Sequence, residues 1–394
     1  MMSALVALLL ALFGPAFYVL CPMHAKGFAE FLPLVFDCAR DTNPWCSPAF
    51  IGTLARFHIG LFRRSESQTD TAEQVAARFL PPLVGGQEPP LRGRVAIVTG
   101  ATNGIGLETA RVLMKYGCHV VMPARSVEKG ERILSELKRE ALGRGDGTVF
   151  KLDLSDLDSV RSFADSFLRS GLPLHYLVAN AGIMALPERQ LSKQGFEVQF
   201  ASNHLGHFLL LRLLEGQLLA AGSAEAPARA VLVSSQTHEW WENKGTGSVQ
   251  HLLADQMPPT RAYDPLMLYS LTKALNVLTG VELQMRWGQA GSAVAVSLHP
   301  GLIETGIMSS AHGIEAIFFD PLYTWARKSI GQGAATTVHY LLSPDVPSET
   351  RQVGSAYYVN YAVASANPLT RDANASKEAW RLSEELVRKW LDTK

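Results

Sequence analysis

After Arg92 the chain alternates short apolar, largely β-branched runs with longer amphipathic stretches. The short runs are RVAIVT, HVVMPA, TVFKLDL, LHYLVAN, ARAVLVSS, AVAVSLHP and SAYYVN. Helical patterns lie between them, including one around Tyr269, one from Gly331 and a last one from Ser376. Such alternation is typical of βαβ units. It predicts an α/β domain with a doubly wound parallel sheet of about seven strands and helices on both faces.

Residues 1–23 contain no charged side chain and include the apolar run SALVALLLALFGPAFYVL. This length is close to the roughly 20 residues that a membrane-spanning helix needs, although Pro15 would kink such a helix. A cleaved signal peptide is the alternative, since an apolar core before Gly14 also fits that pattern. The start of the chain lacks Lys and Arg, which favours a retained membrane anchor over residues 1–23.

Residues 24–90 are predicted to connect this anchor to the α/β domain. Residues 27–62 stay apolar and aromatic, which fits either helices at a membrane interface or packing against the α/β domain. The stretches SESQTDTAEQ and PPLVGGQEPP then indicate a linker, so we expect the α/β domain to extend over residues 91–394. Basic residues after the apolar run, such as Lys26, favour a cytosolic domain on a membrane such as the endoplasmic reticulum.

The charge and the cysteine content narrow the classes of partner and ligand that the chain is expected to bind. Lys and Arg number 36, as do Asp and Glu, and no basic block occurs, so no nucleic-acid partner is expected. The four cysteines lack the close pairs of metal or redox sites, and no metal is expected. Cys118 is predicted to be a buried thiol. Cys38 and Cys46 can form a disulfide only if their segment is lumenal.

The first strand runs into the glycine-rich segment TGATNGIG, which is followed by a helical pattern. Glycines at such a turn let backbone amides approach a pyrophosphate at the helix N-terminus, whose dipole favours an anion. The segment thus predicts a dinucleotide site in a Rossmann fold, and the alternative is a glycine-rich turn without a ligand. The residues assigned to cofactor binding here are Gly100, Thr102, Asn103, Gly104, Ile105 and Gly106.

The ends of the second and third strands carry candidate contacts to an adenosine. NAD binding calls for a carboxylate after the second strand, but this chain has Arg125, which can pair with a 2′-phosphate. NADP(H) is therefore the preferred cofactor, with NAD(H) left as an option; the alternative is a solvated arginine at a helix start. In KLDLS, Asp153 and Leu154 are predicted beside the adenine, and Asp153 can equally cap the next helix.

Two further turns are predicted to line the cofactor. Asn180, Ala181 and Gly182 close the fourth strand with small residues, which lets the backbone pass beside the cofactor. HPGLIET closes the sixth strand, where a turn is expected to bring residues toward the nicotinamide amide. The residues assigned to this second turn are Pro300, Gly301, Ile303 and Thr305.

The segment YSLTK places Tyr269 and Lys273 four positions apart, on one face of a helix. The ammonium can stabilise a tyrosinate and lower the phenol pKa from about 10 toward working pH, and an oxidised nicotinamide adds a second positive charge. Tyr269 is therefore predicted to act as an acid and base, and both residues are assigned to catalysis and to cofactor binding.

Two more polar residues are predicted to complete this site. VLVSS ends the fifth strand, and a hydroxyl there can bond the substrate oxygen as charge develops on it. Ser235 is preferred for this role over Ser234, although the reverse assignment is an alternative. Asn203 lies on the helix expected beside this strand, where its side chain or its backbone carbonyl can hold a water against Lys273; a helix-bending polar residue is the alternative.

Taken in order, TGATNGIG, NAG, Asn203, Ser235, YSLTK and HPGLIET resemble the short-chain dehydrogenase/reductase family over residues 91–394. Arg125 followed by SVEKG, the segments KLDLSDLDSVRSF and NHLGHFLL, and the insert before Tyr269 are similar to its retinol-dehydrogenase-like branch. The resemblance implies a catalytic tetrad of Asn203, Ser235, Tyr269 and Lys273, with NADP(H) acting on retinoids, steroids or other lipophilic alcohols and carbonyls. The long extension before Leu91 and the pair Pro123-Ala124 depart from the branch.

The chain is therefore expected to be an NADP(H)-dependent oxidoreductase that interconverts a lipophilic alcohol and its carbonyl. Its expected partners are a small lipophilic substrate and a membrane, and a homodimer is considered. A catalytically silent Rossmann scaffold that senses the cofactor is the alternative from another class of protein. A light-dependent pigment reductase of the same fold is a third interpretation.

Overall fold

The computed structural model describes residues 69–240, 263–288, 291–303, 327–353, 357–364 and 372–392, together with residues 366 and 370. The chain divides into two compact units, of which one comprises Gln68–Ala311 and Lys328–Lys394. Apart from Arg327, the described residues belong to this unit. The proposed division at Leu91 stays a prediction.

The sheet has eight strands in the order β3-β2-β1-β4-β5-β6-β7-β8. Neighbouring strands from β1 to β7 run parallel, and β8 pairs antiparallel with β7. The strands are β1 (Val95–Val98), β2 (His119–Ala124), β3 (Asp146–Lys151), β4 (Tyr176–Ala179), β5 (Ala228–Val233), β6 (Ala293–His299), β7 (Tyr357–Val359) and β8 (Ala362–Val363).

Among the described residues, the helices of eight or more residues precede, connect or follow these strands. They are α1 (Ala72–Phe79), α2 (Gly104–Lys115), α3 (Val127–Glu140), α4 (Leu157–Arg169), α5 (Gly206–Ala221), α6 (Pro265–Trp287), α7 (Ile330–Leu342), α8 (Val346–Val353) and α9 (Ala373–Leu391). A short helical turn, Val198–Phe200, and a π-helical turn, Ala201–Leu205, lead directly into α5. A 3-10 turn, Gln236–Trp240, follows β5.

The core lies on both faces of the sheet, because the strands are apolar on both sides. In β1, Val95 and Ile97 belong to one buried cluster, and Ala96 and Val98 belong to the other. The first cluster contains residues of α4, α5, α6 and α9, and the second contains residues of α1, α2, α3 and α7. Parallel strands covered on both faces read as continuous apolar runs, which is the pattern seen in the sequence. The predicted Rossmann fold is confirmed.

The order of the strands reverses between β1 and β4, which are direct neighbours in the sheet. In open α/β sheets the crevice for a ligand lies outside the carboxyl ends of the strands at such a switch point. The segments that follow β1, β4, β5 and β6 therefore face one region, and these segments carry most of the residues assigned to the site.

Three features differ from the sequence prediction. The seven expected strands are present, and the two-residue strand β8 is added at the edge. Residues 72–79, whose polar composition suggested a linker, form α1, which begins with a capping box between Thr71 and Gln74. Within the helix expected after Ser192, residues 201–205 form a π-helical turn.

The predicted location on a membrane is corrected here. No helix among the described residues is long and apolar enough to cross a membrane. The apolar run 1–23, on which the anchor and the endoplasmic-reticulum location depended, lies outside the described residues. The membrane location is therefore withdrawn.

Candidate active site

The glycine-rich turn after β1 has the shape that its sequence requires. Gly100 and Gly104 have positive φ angles of 70° and 56°, a conformation that favours glycine. A Cβ on Gly106 would lie 2.5 Å from the side-chain amide of Asn180 and 2.5 Å from the Gly100 carbonyl oxygen. Helix α2 begins at Gly104, whose N–H donates to Oδ1 of the N-cap Asn103 over 2.8 Å. This close backbone turn at a helix N-terminus fits a pyrophosphate.

Thr99, just before these glycines, was missed by the sequence analysis. It is 1% exposed, and its Oγ1 accepts hydrogen bonds from the backbone N–H groups of Asn180 (2.9 Å) and Ala181 (3.0 Å). The Asn180 side chain donates in return to the Thr99 carbonyl over 2.9 Å. The turns after β1 and β4 are thus tied together, with Gly182 next in the chain. The signal in the sequence that could have indicated Thr99 is a hydroxyl residue directly after a buried strand.

The residues assigned to the adenosine lie at the ends of β2 and β3. Arg125 is exposed and immediately follows β2, beside Lys151, whose Nζ donates to the Arg125 carbonyl. Oδ1 of Asp153 accepts from the backbone N–H (2.9 Å) and hydroxyl (2.7 Å) of Ser155. The N-cap of α4 is Asp156, so the alternative of Asp153 as a helix cap was wrong.

Leu154 lies where the start of α5 passes the end of β3. A Cβ on Gly206 would lie 2.2 Å from the Leu154 carbonyl oxygen, so only glycine fits at this crossing. Contact of Leu154 with an adenine stays a prediction.

The turn after β6 approaches the glycine-rich turn through two isoleucines. Gly301 has a φ of 105°, and Pro300 before it is buried. A Cβ on Gly333 of α7 would lie 2.2 Å from Ile303 Cδ1 and 3.5 Å from Ile105 Cγ1, so both side chains meet beside this glycine. Thr305 lies outside the described residues.

Tyr269 and Ser235 are brought together. Helix α6 begins at Pro265 after Asp264, whose Oδ1 accepts from the Met267 N–H over 2.9 Å, and this start places Tyr269 in the first turns. Tyr269 is 6% exposed, and burial raises the pKa of its phenol to about 12. A hydrogen bond with the Ser235 side chain opposes this rise. Burial is the larger effect here, and the predicted lowering of the phenol pKa beside an oxidised nicotinamide stays a prediction.

Lys273 lies one helical turn further along α6. Its Nζ is 5.4 Å from the centroid of the Tyr269 ring and donates to the Val233 carbonyl oxygen over 3.0 Å. Burial lowers the pKa of Lys273 to about 8. Ser234 Oγ donates to the Lys273 carbonyl over 2.7 Å and supports the helix there. Ser235, rather than Ser234, therefore faces the tyrosine.

Asn203 lies in the π-helical turn and is fully buried. Its Oδ1 accepts from the Ile183 N–H over 2.9 Å, and its Nδ2 donates to the Ile183 carbonyl (2.8 Å) and to Thr272 Oγ1 (3.2 Å). Thr272 in turn donates to the Tyr269 carbonyl over 2.7 Å. Asn203 therefore connects the segment after β4 to the helix of Tyr269. Its position in a π-helical turn also fits the alternative of a helix-bending polar residue.

The chain is similar to known oxidoreductases. A family model described as short chain dehydrogenase matches residues 94–240. The chain is 37% identical over 307 residues to a WW domain-containing oxidoreductase of Danio rerio, which covers 77% of this chain and 70% of that protein. It is 32% identical over 311 residues to polyprenol dehydrogenase of Homo sapiens, with 78% and 88% covered. A chloroplastic short-chain dehydrogenase of Brassica napus, TIC 32 B, is 34% identical over 295 residues, with 74% and 88% covered.

Solved structures share the fold. A crystal structure of an uncharacterized protein from Mycobacterium paratuberculosis has a TM-score of 0.56 and 30% identity, covering 78% of this chain and 97% of that one. The NADP complex of RhlG from Pseudomonas aeruginosa has a TM-score of 0.50 at 21% identity, with 65% and 92% covered. A Brucella melitensis 3-ketoacyl-(acyl-carrier-protein) reductase with NADH has 0.50 at 22%, with 65% and 93% covered. These last two likenesses show the fold alone.

The family model spans the sheet from β1 to β5, and the relatives extend the match over most of the chain. Identity of 32% over 88% of a named dehydrogenase is sufficient to establish common family membership. The chain is an oxidoreductase that belongs to the short-chain dehydrogenase/reductase family.

Proposed function

We propose that this protein interconverts a lipophilic alcohol and its carbonyl with NADP(H), and that Tyr269 transfers the proton. The observation that carries the proposal is that Lys273 Nζ lies 5.4 Å from the ring of the buried Tyr269, and the Ser235 side chain acts on the same phenol by lowering its pKa. With a pKa of about 12 the phenol carries its proton at neutral pH, so the proton that a carbonyl oxygen would accept is present.

The cofactor would be held by the turns after β1, β2, β4 and β6. The glycine-rich turn and the N-terminus of α2 would bind its pyrophosphate, and Arg125 would pair with a 2′-phosphate. When bound, the nicotinamide supplies or accepts the hydride. NADP and NADH complexes among proteins of the same fold support this choice, and NAD(H) remains an option.

The side chains have separate roles in this proposal. Ser235 and Tyr269 hold the carbonyl oxygen between two hydroxyls, and Tyr269 gives its proton to that oxygen. Lys273 and a water on the Asn203 carbonyl return a proton to the phenol. In the reverse direction the phenolate accepts the alcohol proton.

A lipophilic substrate is supported by similarity to polyprenol dehydrogenase. The segments before Tyr269 and after Thr305 are rich in Trp, Met, Leu and Phe, and much of both lies outside the described residues. A long-chain isoprenoid alcohol is therefore the first substrate to test, followed by all-trans-retinal and apolar ketones. Membership of the retinol-dehydrogenase-like branch and a homodimer stay predictions.

The first test is turnover by the full chain and by its Tyr269→Phe variant. We expect NADP+ reduction with the isoprenoid alcohol or NADPH oxidation with an apolar carbonyl, and a loss of at least about 100-fold in kcat in the variant, because general acid–base catalysis contributes that much. The variant should bind NADPH normally, as measured by cofactor fluorescence. Cofactor binding without turnover on any substrate would favour the silent scaffold, and turnover only under illumination would favour a pigment reductase.

The preference for NADP(H) is tested by Arg125→Ala. The charge-assisted contact to a 2′-phosphate is worth about 1.5–3 kcal/mol, so the KM for NADPH should rise by about tenfold or more while the KM for NADH stays nearly constant. Arg132→Ala, on the exposed part of α3, is the matched control and should change neither value. Equal changes in the KM for NADPH and the KM for NADH would mean that Arg125 does not discriminate between the two cofactors.

A further inference from the structure

His207 lies four positions after Asn203, at the start of α5, and is 3% exposed. Its two ring nitrogens contact two parts of the candidate site. Nδ1 is 3.1 Å from the Asn203 carbonyl oxygen, and Nε2 is 2.9 Å from Thr99 Oγ1. The ring therefore spans the distance from the glycine-rich turn to the tetrad asparagine.

The partners of the ring determine where its proton lies. A carbonyl oxygen only accepts, so Nδ1 must carry the hydrogen and donate to Asn203. Thr99 Oγ1 already accepts from two backbone N–H groups and has one hydrogen to give. Nε2 at 2.9 Å is a closer acceptor than the Val178 carbonyl at 3.2 Å, so the Thr99 hydroxyl donates to Nε2. The result is a neutral ring in the Nδ1–H tautomer.

We assign the relay water to the Asn203 carbonyl, because the side chain of Asn203 is used to hold the segment after β4. Both polar atoms of its side chain are bonded to Ile183, and Nδ2 also reaches Thr272. A carbonyl oxygen has two lone pairs, and His207 uses one of them. In the π-helical turn the Gly206 N–H donates to the Ala201 carbonyl five positions back, one position further than in an α-helix.

The surroundings keep the ring neutral. Burial lowers the pKa of His207 to about 4, the bond to the Asn203 carbonyl opposes this, and the Lys273 ammonium lowers the pKa further. A charged ring would have two donors, and Thr99 Oγ1 has no lone pair left for the second one. A single tautomer therefore satisfies every partner.

We propose that His207 is a positioning residue for the proton relay, which aims the Asn203 carbonyl at the relay water through an Nδ1–H donor that Thr99 fixes. The proposal rests on the proposed function, since the relay has a role only if Tyr269 transfers a proton. It goes beyond the tetrad, because it joins two parts of the site in one chain of hydrogen bonds. These parts are the glycine-rich turn, which would hold the cofactor, and the Asn203 carbonyl, which would hold the water.

The tautomer is measured without any substrate. Long-range proton–nitrogen NMR spectra of the full chain, with His207 assigned by comparison with His207→Asn, should show a neutral Nδ1–H ring between about pH 5 and 8. An Nε2–H tautomer, or a ring that protonates in this range, would overturn the proposal. This result stands even if no substrate is turned over, so failure here is distinct from failure of the proposed function.

Positioning is measured with three variants and a control. His207→Asn keeps an N–H near the place of Nδ1, whereas His207→Gln and His207→Phe do not. We expect His207→Asn to keep kcat within about threefold, and the other two to lose about tenfold or more in kcat with the carbonyl KM nearly unchanged. His204→Asn, a buried histidine on the same helical segment that bonds Ser383, should lower thermal stability without lowering kcat.

Thermal unfolding of each variant separates loss of folding from loss of positioning. Full kcat in His207→Phe would refute the proposal. Equal losses in His207→Asn and His207→Phe, at equal melting temperature, would refute it as well, because they would make the Nδ1 donor irrelevant.

Discussion

At the scale of single residues, neighbouring hydroxyls have different environments and therefore different tasks. Ser234 and Ser235 follow β5 directly, yet one side chain turns inward to the Lys273 carbonyl and the other reaches the Tyr269 phenol. Ser234 is 2% exposed, whereas Ser235 is half-buried. The alternation of side chains along a strand accounts for this division.

This contrast predicts opposite outcomes for two matched alanine variants. Ser235→Ala should lower kcat by about 100-fold, because a donor aimed at developing charge is removed, and should leave stability nearly unchanged. Ser234→Ala should keep kcat within about threefold and cost roughly 1 kcal/mol in unfolding free energy, because a buried hydrogen bond is lost. Steady-state kinetics and urea unfolding measure both, and a larger kcat loss in Ser234→Ala would reverse the assignment.

At the scale of elements, helix α9 joins helices α5 and α6. Trp380 of α9 packs edge-on to Phe208 of α5, with a ring distance of 4.9 Å. The guanidinium carbons of Arg212 and Arg286 lie 5.3 and 4.3 Å from its ring centroid. Since Arg212 belongs to α5 and Arg286 to α6, one indole ring joins three helices.

Removal of this ring should loosen the whole helical layer. Trp380→Ala is expected to cost roughly 3–5 kcal/mol in unfolding free energy, the usual range for a buried tryptophan. Trp390→Ala, at a half-buried position of the same helix, should cost less. Urea unfolding followed by circular dichroism gives both values. Equal losses of unfolding free energy in the two variants would mean that Trp380 contributes no more to the packing than Trp390 does.

Element boundaries show where sequence patterns succeed and fail. The seven parallel strands follow from apolar runs that burial on both faces requires, and their order with the helices fixes the fold. Strand β8 was missed, because its turn uses Asn360 and Tyr361 at φ angles of 53° and 68° without the glycine that usually signals a hairpin. Helix α1 was missed although its capping residues, Thr71 and Gln74, were visible.

The candidate site was predictable where a motif is local and not where partners are distant. Tyr269 and Lys273 share a helix, so their proximity follows from spacing alone. Thr99 and His207 are 108 positions apart, and only the folded chain brings them within 2.9 Å. The rise in the Tyr269 pKa also depends on burial by distant segments, which no local pattern reveals.

At the scale of the whole molecule, the core contains two fully buried histidines on one helical segment. Burial lowers the pKa of His204 to about 3 and that of His207 to about 4, from an ordinary value of 6.5. Above pH 6.5 both rings are neutral in the folded and unfolded states, so they add no pH dependence there. As the pH falls below 6.5, the unfolded chain binds protons that the folded chain excludes.

The protein is therefore expected to lose stability below pH 6.5, before its carboxylates titrate. Each histidine should contribute a slope of up to about 1.4 kcal/mol per pH unit. Unfolding free energies from urea titrations between about pH 5 and 7 measure the slope. His204→Asn should reduce the slope, whatever its effect on stability at pH 7. An unchanged slope would mean that His204 is protonated in the folded state.

The switch point between β1 and β4 has a consequence for how the molecule assembles and opens. Thr99 and Val178, which meet there, are 79 positions apart, so this pairing closes a far longer loop than the pairing of β1 with β2. Long-range pairing is slow, because the entropy of closing the loop is lost before the contacts are gained. The cofactor crevice then exists only after the two halves of the sheet have joined. A bound dinucleotide should therefore retard unfolding and leave the rate of refolding nearly unchanged.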